Sequence, residues 1–374
     1  METKIANGQR QHVESITILR GLAAIGVVIF HVRIFLWTGW SSIRNNPDQF
    51  SIFDRLVAWL SLPAPILGEG VLLFFVISGF CVHYPQAGLN TSMDLRKYII
   101  RRFFRIYPPF VVTVAISLLA VQYFTWTSPE AEPWVANLFL VHNYLPSINS
   151  QISSNMSLWS IPTEVEFYLA YPFLLILWRK WGPLQALTLF GTISLVSVGL
   201  YFQGLRGIVF SAFTFYILWW SGAYLAELHA ADRLPKPRAV TVLLGIALLA
   251  TGTIALQQGE KLVMVQRFLF GGFFILLVWW FLVKEPFPQS KDSRWAKALV
   301  YLGNISFSLY LIHYPLLQVC GLVWMEKMGS PPKNFLIPLA FSGLAVGVAH
   351  VFYHMVELPS HKLARKLARK TKLT

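Results

Sequence analysis

The sequence alternates between apolar runs close to 20 residues long and short polar segments that carry most of the charges. An apolar run of that length crosses the hydrocarbon core of a bilayer as an α-helix. The pattern therefore predicts an all-α protein, a polytopic membrane bundle of about ten transmembrane helices. The predicted spans are residues 15–37, 67–83, 106–124, 160–179, 184–202, 208–228, 238–257, 264–283, 301–324 and 335–356.

Most of the 31 Lys and Arg residues fall in the segments that would face the cytoplasm if the chain begins there. This bias follows the positive-inside rule, so we expect both termini to be cytoplasmic. We interpret residues 1–374 as one transmembrane domain, with a cytoplasmic segment at 1–14, a basic cytoplasmic tail at 358–374 and no fused soluble domain. The apolar piece at 134–142 is too short to cross and predicts a re-entrant, interfacial or short buried helix.

The net charge of +14 is typical of nucleic-acid-binding proteins, but here the basic residues flank apolar runs and report topology instead. We therefore predict no nucleic-acid partner. Cys81 and Cys320 both lie in apolar runs, where a thiol packs like a small hydrophobe, so no disulfide framework is expected. The basic tail is best explained as a stop-transfer anchor. The alternative interpretation is that it lies along the anionic lipids of the inner leaflet.

The first predicted span contains two polar residues in "LRGLAAIGVVIFHV" (19–32). Arg20 and His31 return to within about 20° of each other around a helix and lie about 16 Å apart along its axis. An intramembrane charge faces the bundle interior or water, so Arg20 should line a polar pocket open to the cytoplasm. His31 would lie beyond mid-membrane on the same wall, where a neutral imidazole can act as a general base, although packing is the commoner role for a lone His.

Two further stretches hold candidate residues near helix ends. In "RRFFRIYPPF" (101–110), Arg101, Arg102 and Arg105 form either a positive-inside cluster or a phosphate socket. In "LWSIPTEVEFYLAYP" (158–172), Glu164 and Glu166 differ by about 200° around a helix, so they cannot serve one surface. Acids there also favour the helix dipole, but at least one should face the bundle interior.

The stretch "NISFSLYLIHYPLLQ" (304–318) embeds polar side chains in an apolar span, namely Asn304, Ser306, Ser308, Tyr310 and His313. Asn304, Ser308 and Tyr310 could simply bond helix to helix, a common use of such residues in membranes. Near the end of the last span, His350, His354 and Glu357 superficially match a metal-binding helix face, but a third clear ligand is missing. We predict no metal.

Taken in order, these stretches together with "FFVISGF" (74–80) resemble the membrane-bound acyltransferase 3 family, ten-span bacterial enzymes that acylate sugars and related acceptors. The resemblance covers the chain from residue 16 to about 359. It implies that His31 is the essential base or acyl-handling residue and that Arg20 helps to organise the donor pocket. It also implies that Arg102 and Arg105, with Arg101, engage the phosphates of acyl-coenzyme A.

We also predict that Ser306, Tyr310 and His313 belong to the acyl-coenzyme A site. Glu164 aligns with the family's first glutamate after Trp-Ser, while Val165 replaces the second. Which acid acts stays open, and we select Glu164.

The resemblance therefore predicts an O-acyltransferase of the bacterial cytoplasmic membrane that moves acetyl from cytoplasmic acetyl-coenzyme A to a hydroxyl of a glycan or lipid-linked saccharide. Lipopolysaccharide, exopolysaccharide, peptidoglycan and a glycosylated metabolite are all open as acceptors. Direct transfer and an acyl-enzyme intermediate are also both open. The main alternative is a transporter or flippase whose Arg20, His31 and Glu164 line a path, and a non-catalytic scaffold is a third.

Overall fold

The computed structural model describes residues 5–6, 9–10, 13–88, 92–125, 131–144, 155–287 and 293–370. Within these ranges the chain is helical apart from turns and one short antiparallel pair, β1 (Ile5–Ala6) with β2 (Gln9–Arg10). The predicted all-α class is confirmed. Most of the predicted cytoplasmic segment at 1–14 and the last four residues of the tail lie outside the described residues.

The helices follow in chain order, and short 3-10 turns lie between several of them. They are α1 (Glu14–Phe35), α2 (Trp40–Asn45), α3 (Ile52–Ala58), α4 (Ala64–Leu67), α5 (Gly70–His83), α6 (Leu95–Thr125), α7 (Ala131–Leu138), α8 (Ser160–Trp181), α9 (Pro183–Phe202), α10 (Ala212–Ala230), α11 (Ala239–Leu256), α12 (Val263–Lys284), α13 (Arg294–Asn304), α14 (Ser306–Met328), α15 (Leu336–Phe352), a π-helical turn (Tyr353–Glu357) and α16 (Leu358–Lys370).

Each predicted span corresponds to a helix, but the number of helices fit to cross a membrane is lower than ten. Eight helices within the described ranges are long and apolar enough, or nine if the segments Ile52–Leu67 and Gly70–Gln86, bent by 44°, form one broken span. The shortfall has two causes. Helix α5 has only 14 residues, and α8 has two acids in its first two turns. The piece at 134–142 includes most of the eight-residue helix α7 and the first residue of a 3-10 turn. A helix of eight residues is too short to cross a bilayer.

The chain divides into two compact units. The first unit comprises Met1–Arg20, Val71–Leu95 and Ser160–Gly303, and so holds the start of α1, α5 and α8 to α13. The second unit comprises Gly21–Gly70, Arg96–Trp159 and Asn304–Thr374, and holds the rest of α1 with α2 to α4, α6, α7 and α14 to α16. The assignment of residues 1–374 to one functional domain stays a prediction, as does the cytoplasmic location of the termini.

The first unit depends on a close approach of α5 and α10. A Cβ at Gly79 would lie 1.8 Å from the Trp219 carbonyl oxygen, and a Cβ at Gly222 would lie 2.0 Å from the Val76 carbonyl oxygen. Membrane helices pack closely where small residues remove side-chain bulk, because lipid provides no hydrophobic force to press them together. The two glycines therefore set the spacing of these helices.

In the second unit, α1 packs on α14 by the same device. A Cβ at Gly321 would lie 2.6 Å from the Phe35 carbonyl oxygen. Beyond the end of α1, the Trp37 indole donates to the Lys333 carbonyl at 3.0 Å. A buried apolar cluster surrounds this bond and fixes the segment after α1; its members are Trp37, Ile43, Phe50, Val57, Ala58 and Phe335.

Candidate functional site

His31 lies in the second unit, half-buried in the last third of α1. Its Nδ1 is 2.9 Å from the Val27 carbonyl oxygen, one helical turn earlier, and 3.2 Å from Nε2 of His313. The two imidazole centroids are 4.9 Å apart. Aromatic rings form the rest of the surroundings, with centroids 4.9, 6.2 and 5.1 Å from that of His31 for Phe30, Phe35 and Tyr314 respectively.

His313 is fully buried on α14, which places its ring between the helix backbone and His31. Its Nδ1 is 2.7 Å from the Tyr310 carbonyl oxygen and 3.1 Å from the Leu309 carbonyl oxygen. Both ring nitrogens of His313 therefore have partners inside the protein. The sequence singled out both histidines but did not predict their contact.

The other two polar residues assigned to this part of α14 are also buried. The Tyr310 hydroxyl donates to the Ser157 carbonyl at 2.6 Å, and Ser306 is 1% exposed. The segment before α8 is held in turn by Asn155, whose amide donates to the Leu311 carbonyl at 3.2 Å. The roles of Ser306 and Tyr310 in acyl-coenzyme A binding stay predictions.

A buried carboxylate, Glu357, reaches α14 from the π-helical turn. One of its oxygens accepts bonds from the hydroxyl of Ser308 at 2.5 Å and from the backbone N–H of Ser308 at 3.1 Å. From the sequence, Glu357 was interpreted only as part of a possible metal-binding face with His350 and His354. The ring centroids of these two histidines are 4.7 Å apart. No group of three His, Cys, Asp or Glu side chains suited to a metal ion occurs within the described ranges. Glu357 instead joins two helices.

The basic cluster lies on the first turns of α6, also in the second unit. Arg101 is exposed, whereas Arg102 and Arg105 are half-buried, and the Arg102 guanidinium carbon lies 5.5 Å from the Tyr98 ring centroid. The Ser360 hydroxyl donates to the Phe104 carbonyl and holds the start of α16 beside this turn. Guanidinium groups in this setting suit forked bonds to phosphate oxygens.

Arg20 lies in the first unit, half-buried near the start of α1. Its Nε and one terminal nitrogen donate to the Gly303 carbonyl at 3.1 and 2.7 Å. A Cβ at Gly303 would lie 2.0 Å from the Thr17 carbonyl oxygen, so the glycine lets the end of α13 approach α1 closely enough to meet the arginine. This bond accounts for part of the hydrogen-bonding capacity of an intramembrane charge.

The two acids of α8 bind different elements of the first unit, as their separation around the helix predicts. Glu164 accepts a hydrogen bond of 2.5 Å from the Ser78 hydroxyl, which in turn accepts one of 3.2 Å from the Trp219 indole. Glu166 accepts the backbone N–H of Ala212, the first residue of α10, at 2.8 Å. Glu166 therefore has a capping role at a helix amino end, where an acceptor is needed. The motif "FFVISGF" supplies both the bond to Glu164 and the close contact at Gly79.

The sequence did not identify a buried network where α5, α8 and α10 meet in the first unit. His83 is fully buried, with its Nε2 2.7 Å from a Glu227 oxygen and its Nδ1 3.1 Å from the Tyr171 hydroxyl. The other Glu227 oxygen accepts the backbone N–H of Gly88 at 2.8 Å. A sequence feature that could have indicated this network is a histidine and an acid that each lie inside an apolar run. Such residues are costly in a membrane unless they are paired.

A second histidine that the sequence analysis did not select, His142, lies after α7 and outside the candidate membrane spans. His142 is fully buried, and its Nε2 is 3.4 Å from the Leu158 carbonyl oxygen. Burial lowers the pKa of this imidazole to about 4, so it is neutral at physiological pH.

Comparison with known proteins gives one family and several relatives. Residues 13–354 match the model of an acyltransferase domain. The chain is 28% identical to the peptidoglycan O-acetyltransferase OatA of Listeria monocytogenes over 83% of this chain and 50% of that protein. It is 25% identical to the acyltransferase MdmB of Streptomyces mycarofaciens over 93% and 92%, respectively. It is 23% identical to the O-acetyltransferase OatA of Staphylococcus aureus over 92% and 56%.

The chain thus spans about half the length of the OatA relatives that it matches. No solved structure matches it. The family match and the apolar helices together identify a multi-pass membrane protein.

Proposed function

Since the chain belongs to the acyltransferase 3 family, we propose that it is an O-acyltransferase of the bacterial cytoplasmic membrane. The donor is acetyl-coenzyme A from the cytoplasm, and the acceptor is a hydroxyl of a glycan or lipid-linked saccharide in or across the membrane. The observation that carries the proposal is the half-buried imidazole of His31 in α1, a helix long and apolar enough to cross a membrane. Among the described residues only its Nδ1 has hydrogen-bond partners, and both partners belong to its own unit. A membrane protein retains such a residue for function.

The arginines of α6 are proposed to bind the donor. Coenzyme A is rich in phosphate, and Arg102 and Arg105 lie one turn apart, where forked bonds to phosphate oxygens are possible. Half-burial strengthens such bonds because less water competes for them. Arg101, exposed beside them, adds to the attractive field, and Ser306 and Tyr310 remain proposed members of the donor site.

The reaction has a simple balance. His31 takes the proton of the acceptor hydroxyl as its oxygen attacks the thioester carbonyl carbon, the C–S bond breaks, and the proton passes to the departing thiolate. The products are an O-acetyl ester and free coenzyme A. General-base assistance accounts for about 10²- to 10⁴-fold of the rate, so positioning of the two substrates must supply much of the remainder. No metal is assigned to this reaction.

Glu164 and Arg20, both residues of the first unit, are also proposed to take part in catalysis. The Ser78 hydroxyl bonded to Glu164 fixes the orientation of one carboxylate oxygen. The bond from Arg20 to Gly303 fixes the guanidinium plane. Both residues are therefore held rigidly, as groups that organise a reacting donor must be.

The direct test uses membranes that contain the wild-type protein, the His31→Ala variant or the His350→Ala variant. Membranes are incubated with radiolabelled acetyl-coenzyme A, and label in the glycan and lipid fractions that mild alkali releases is counted. Wild type and His350→Ala, a variant of an exposed histidine, should transfer label, and His31→Ala should not. Equal transfer by His31→Ala would refute the proposal, as would a wild-type protein that moves a saccharide across vesicles without acetylating it.

The donor site is tested separately by steady-state kinetics. Loss of one charge-assisted bond costs about 1.5–3 kcal/mol, so Arg102→Ala or Arg105→Ala should raise the KM for acetyl-coenzyme A by roughly 10- to 100-fold. Arg233→Ala, at an exposed arginine of the first unit, is the matched control and should leave the KM unchanged. An unchanged KM in both α6 variants would remove these arginines from the donor site.

A further inference from the structure

The two histidines of the second unit fix each other's proton positions. A carbonyl oxygen only accepts hydrogen bonds, so a ring nitrogen that bonds one must carry a proton. Nδ1 of His313 meets the Tyr310 and Leu309 carbonyls at 2.7 and 3.1 Å, and Nδ1 of His31 meets the Val27 carbonyl at 2.9 Å. Both Nδ1 atoms are therefore protonated.

In a neutral imidazole only one nitrogen is protonated, so Nε2 of His313 carries a lone pair. That lone pair faces the Nδ1 of His31 at 3.2 Å. The Nδ1 proton of His31 is accordingly shared between the Val27 carbonyl and His313. By the same reasoning the lone pair of neutral His31 is on Nε2, for which the described residues provide no hydrogen-bond partner.

We propose that His313 is a positioning residue that holds His31 as the Nδ1–H tautomer, with the Nε2 lone pair available as the base for the acceptor hydroxyl. This inference rests on the proposed function. His313 is fully buried and His31 only half-buried, so of the two rings only that of His31 is accessible to a substrate. His31 meets the substrate, and His313 acts through it.

The Val27 carbonyl alone does not fix the ring, because in an α-helix it also accepts the backbone N–H of His31. His313 provides an acceptor whose direction is fixed by its own bonds to two carbonyls. When His31 takes the hydroxyl proton at Nε2, both nitrogens carry protons, and His313 faces the Nδ1–H of the resulting cation. The arrangement parallels the general rule that a catalytic base is oriented by a third group.

The kinetic test compares wild type with His313→Gln and His313→Leu. The side-chain amide oxygen of Gln reaches about as far as the imidazole Nε2, so Gln can still accept from His31, whereas Leu cannot. We expect His313→Leu to lower kcat by roughly 10- to 100-fold, the value of one bond made in the transition state, with the KM for acetyl-coenzyme A unchanged. His313→Gln should restore most of the lost kcat.

A second measurement does not depend on activity. The ¹⁵N shifts of histidine-labelled protein in lipid nanodiscs distinguish a protonated nitrogen from a bare one, and the signal absent from a His31→Gln sample identifies His31. Wild type should show a protonated Nδ1 and a bare Nε2, and His313→Leu should show a mixture of tautomers. If wild type shows this tautomer but transfers no acetyl group, the proposed function fails and the tautomer assignment stands.

The inference is overturned by any of four results. These are a bare Nδ1 on His31 in the wild type, an unchanged kcat in His313→Leu, equal losses in the Gln and Leu variants, and a loss confined to the KM for acetyl-coenzyme A. The last would place His313 in the donor site, as predicted from the sequence. Thermal stability of each variant in detergent is measured alongside, and His313→Met replaces His313→Leu if the latter does not fold.

Discussion

The contact between α5 and α10 predicts a large effect for one added methyl group. In Gly79→Ala the new Cβ would lie 1.8 Å from the Trp219 carbonyl oxygen and 2.7 Å from its carbonyl carbon. Carbon and oxygen approach to about 3.3 Å at closest in C–H···O contacts, so the two backbones would have to separate by roughly 1.5 Å. Both atoms that clash belong to helix backbone, which cannot yield as a flexible side chain does.

The energetic cost follows from this geometry. Inserting a methylene into a packed interior costs about 1–3 kcal/mol, and a clash between backbones belongs at or above the upper end. Ser78 precedes Gly79 and bonds both Glu164 and Trp219, so the separation should also disturb the proposed machinery. We expect Gly79→Ala to lower the free energy of unfolding by about 3 kcal/mol and to reduce acetyl transfer per folded molecule.

The assay is the thermal unfolding midpoint in detergent, with transfer measured on the folded fraction. Gly199→Ala is the matched control, because Gly199 lies within α9 of the same unit and, apart from its chain neighbours and its own helix backbone, no described atom lies within 4 Å of its added Cβ. Alanine is favoured over glycine in a helix by about 1 kcal/mol, so this control should be neutral or slightly more stable. Equal midpoints for Gly79→Ala and wild type would refute the packing argument.

Three further predictions concern buried polar groups. His83→Ala should lower the free energy of unfolding by about 1–3 kcal/mol because one Glu227 oxygen loses its partner. Thermal midpoints of purified protein will show this loss, and a midpoint like that of wild type would contradict it. Glu166→Ala should cost about 1 kcal/mol by removing a helix cap, while transfer per folded molecule stays near normal. A large loss of transfer per folded molecule would favour Glu166 over Glu164 as the catalytic acid. Burial lowers the pKa of His142 from 6.5 to about 4, so the unfolded state binds more protons than the folded state between these pH values. Stability should therefore fall as the pH falls from about 6.5 to 4. The thermal midpoint of His142→Gln should fall less over that window, and parallel midpoint–pH profiles for the two proteins would exclude His142 as the cause.

Run length alone predicts helix bounds where an apolar run ends at a polar residue. Residues 184–202, 238–257 and 264–283 differ by no more than one residue at each end from α9 (Pro183–Phe202), α11 (Ala239–Leu256) and α12 (Val263–Lys284). The method was wrong for α6, which begins at Leu95 and not at residue 106. Its first turns carry basic and aromatic residues, and hydropathy detects only the part of a helix that suits lipid.

The sequence allowed individual candidate residues to be selected, but it did not predict which of them contact each other. Periodicity places side chains on a face of their own helix, and it carries no information about which helix that face meets. The separation of Glu164 from Glu166 was therefore predictable, whereas the bond from Ser78 to Glu164 was not. The pairing of His31 with His313 was missed for the same reason.

The hydrogen bonds of the intramembrane polar groups suggest why His31 differs from its neighbours. Glu164 is bonded by Ser78 and Arg20 by Gly303, and in each case a small residue brings the partner close enough to offset the cost of an ionisable group in lipid. His31 is neutral when its Nε2 is bare, and a neutral imidazole costs less to hold in a membrane than a fixed charge. It can therefore keep its Nε2 without a hydrogen-bond partner among the described residues. A side chain that takes a proton from a substrate needs such an unbonded lone pair.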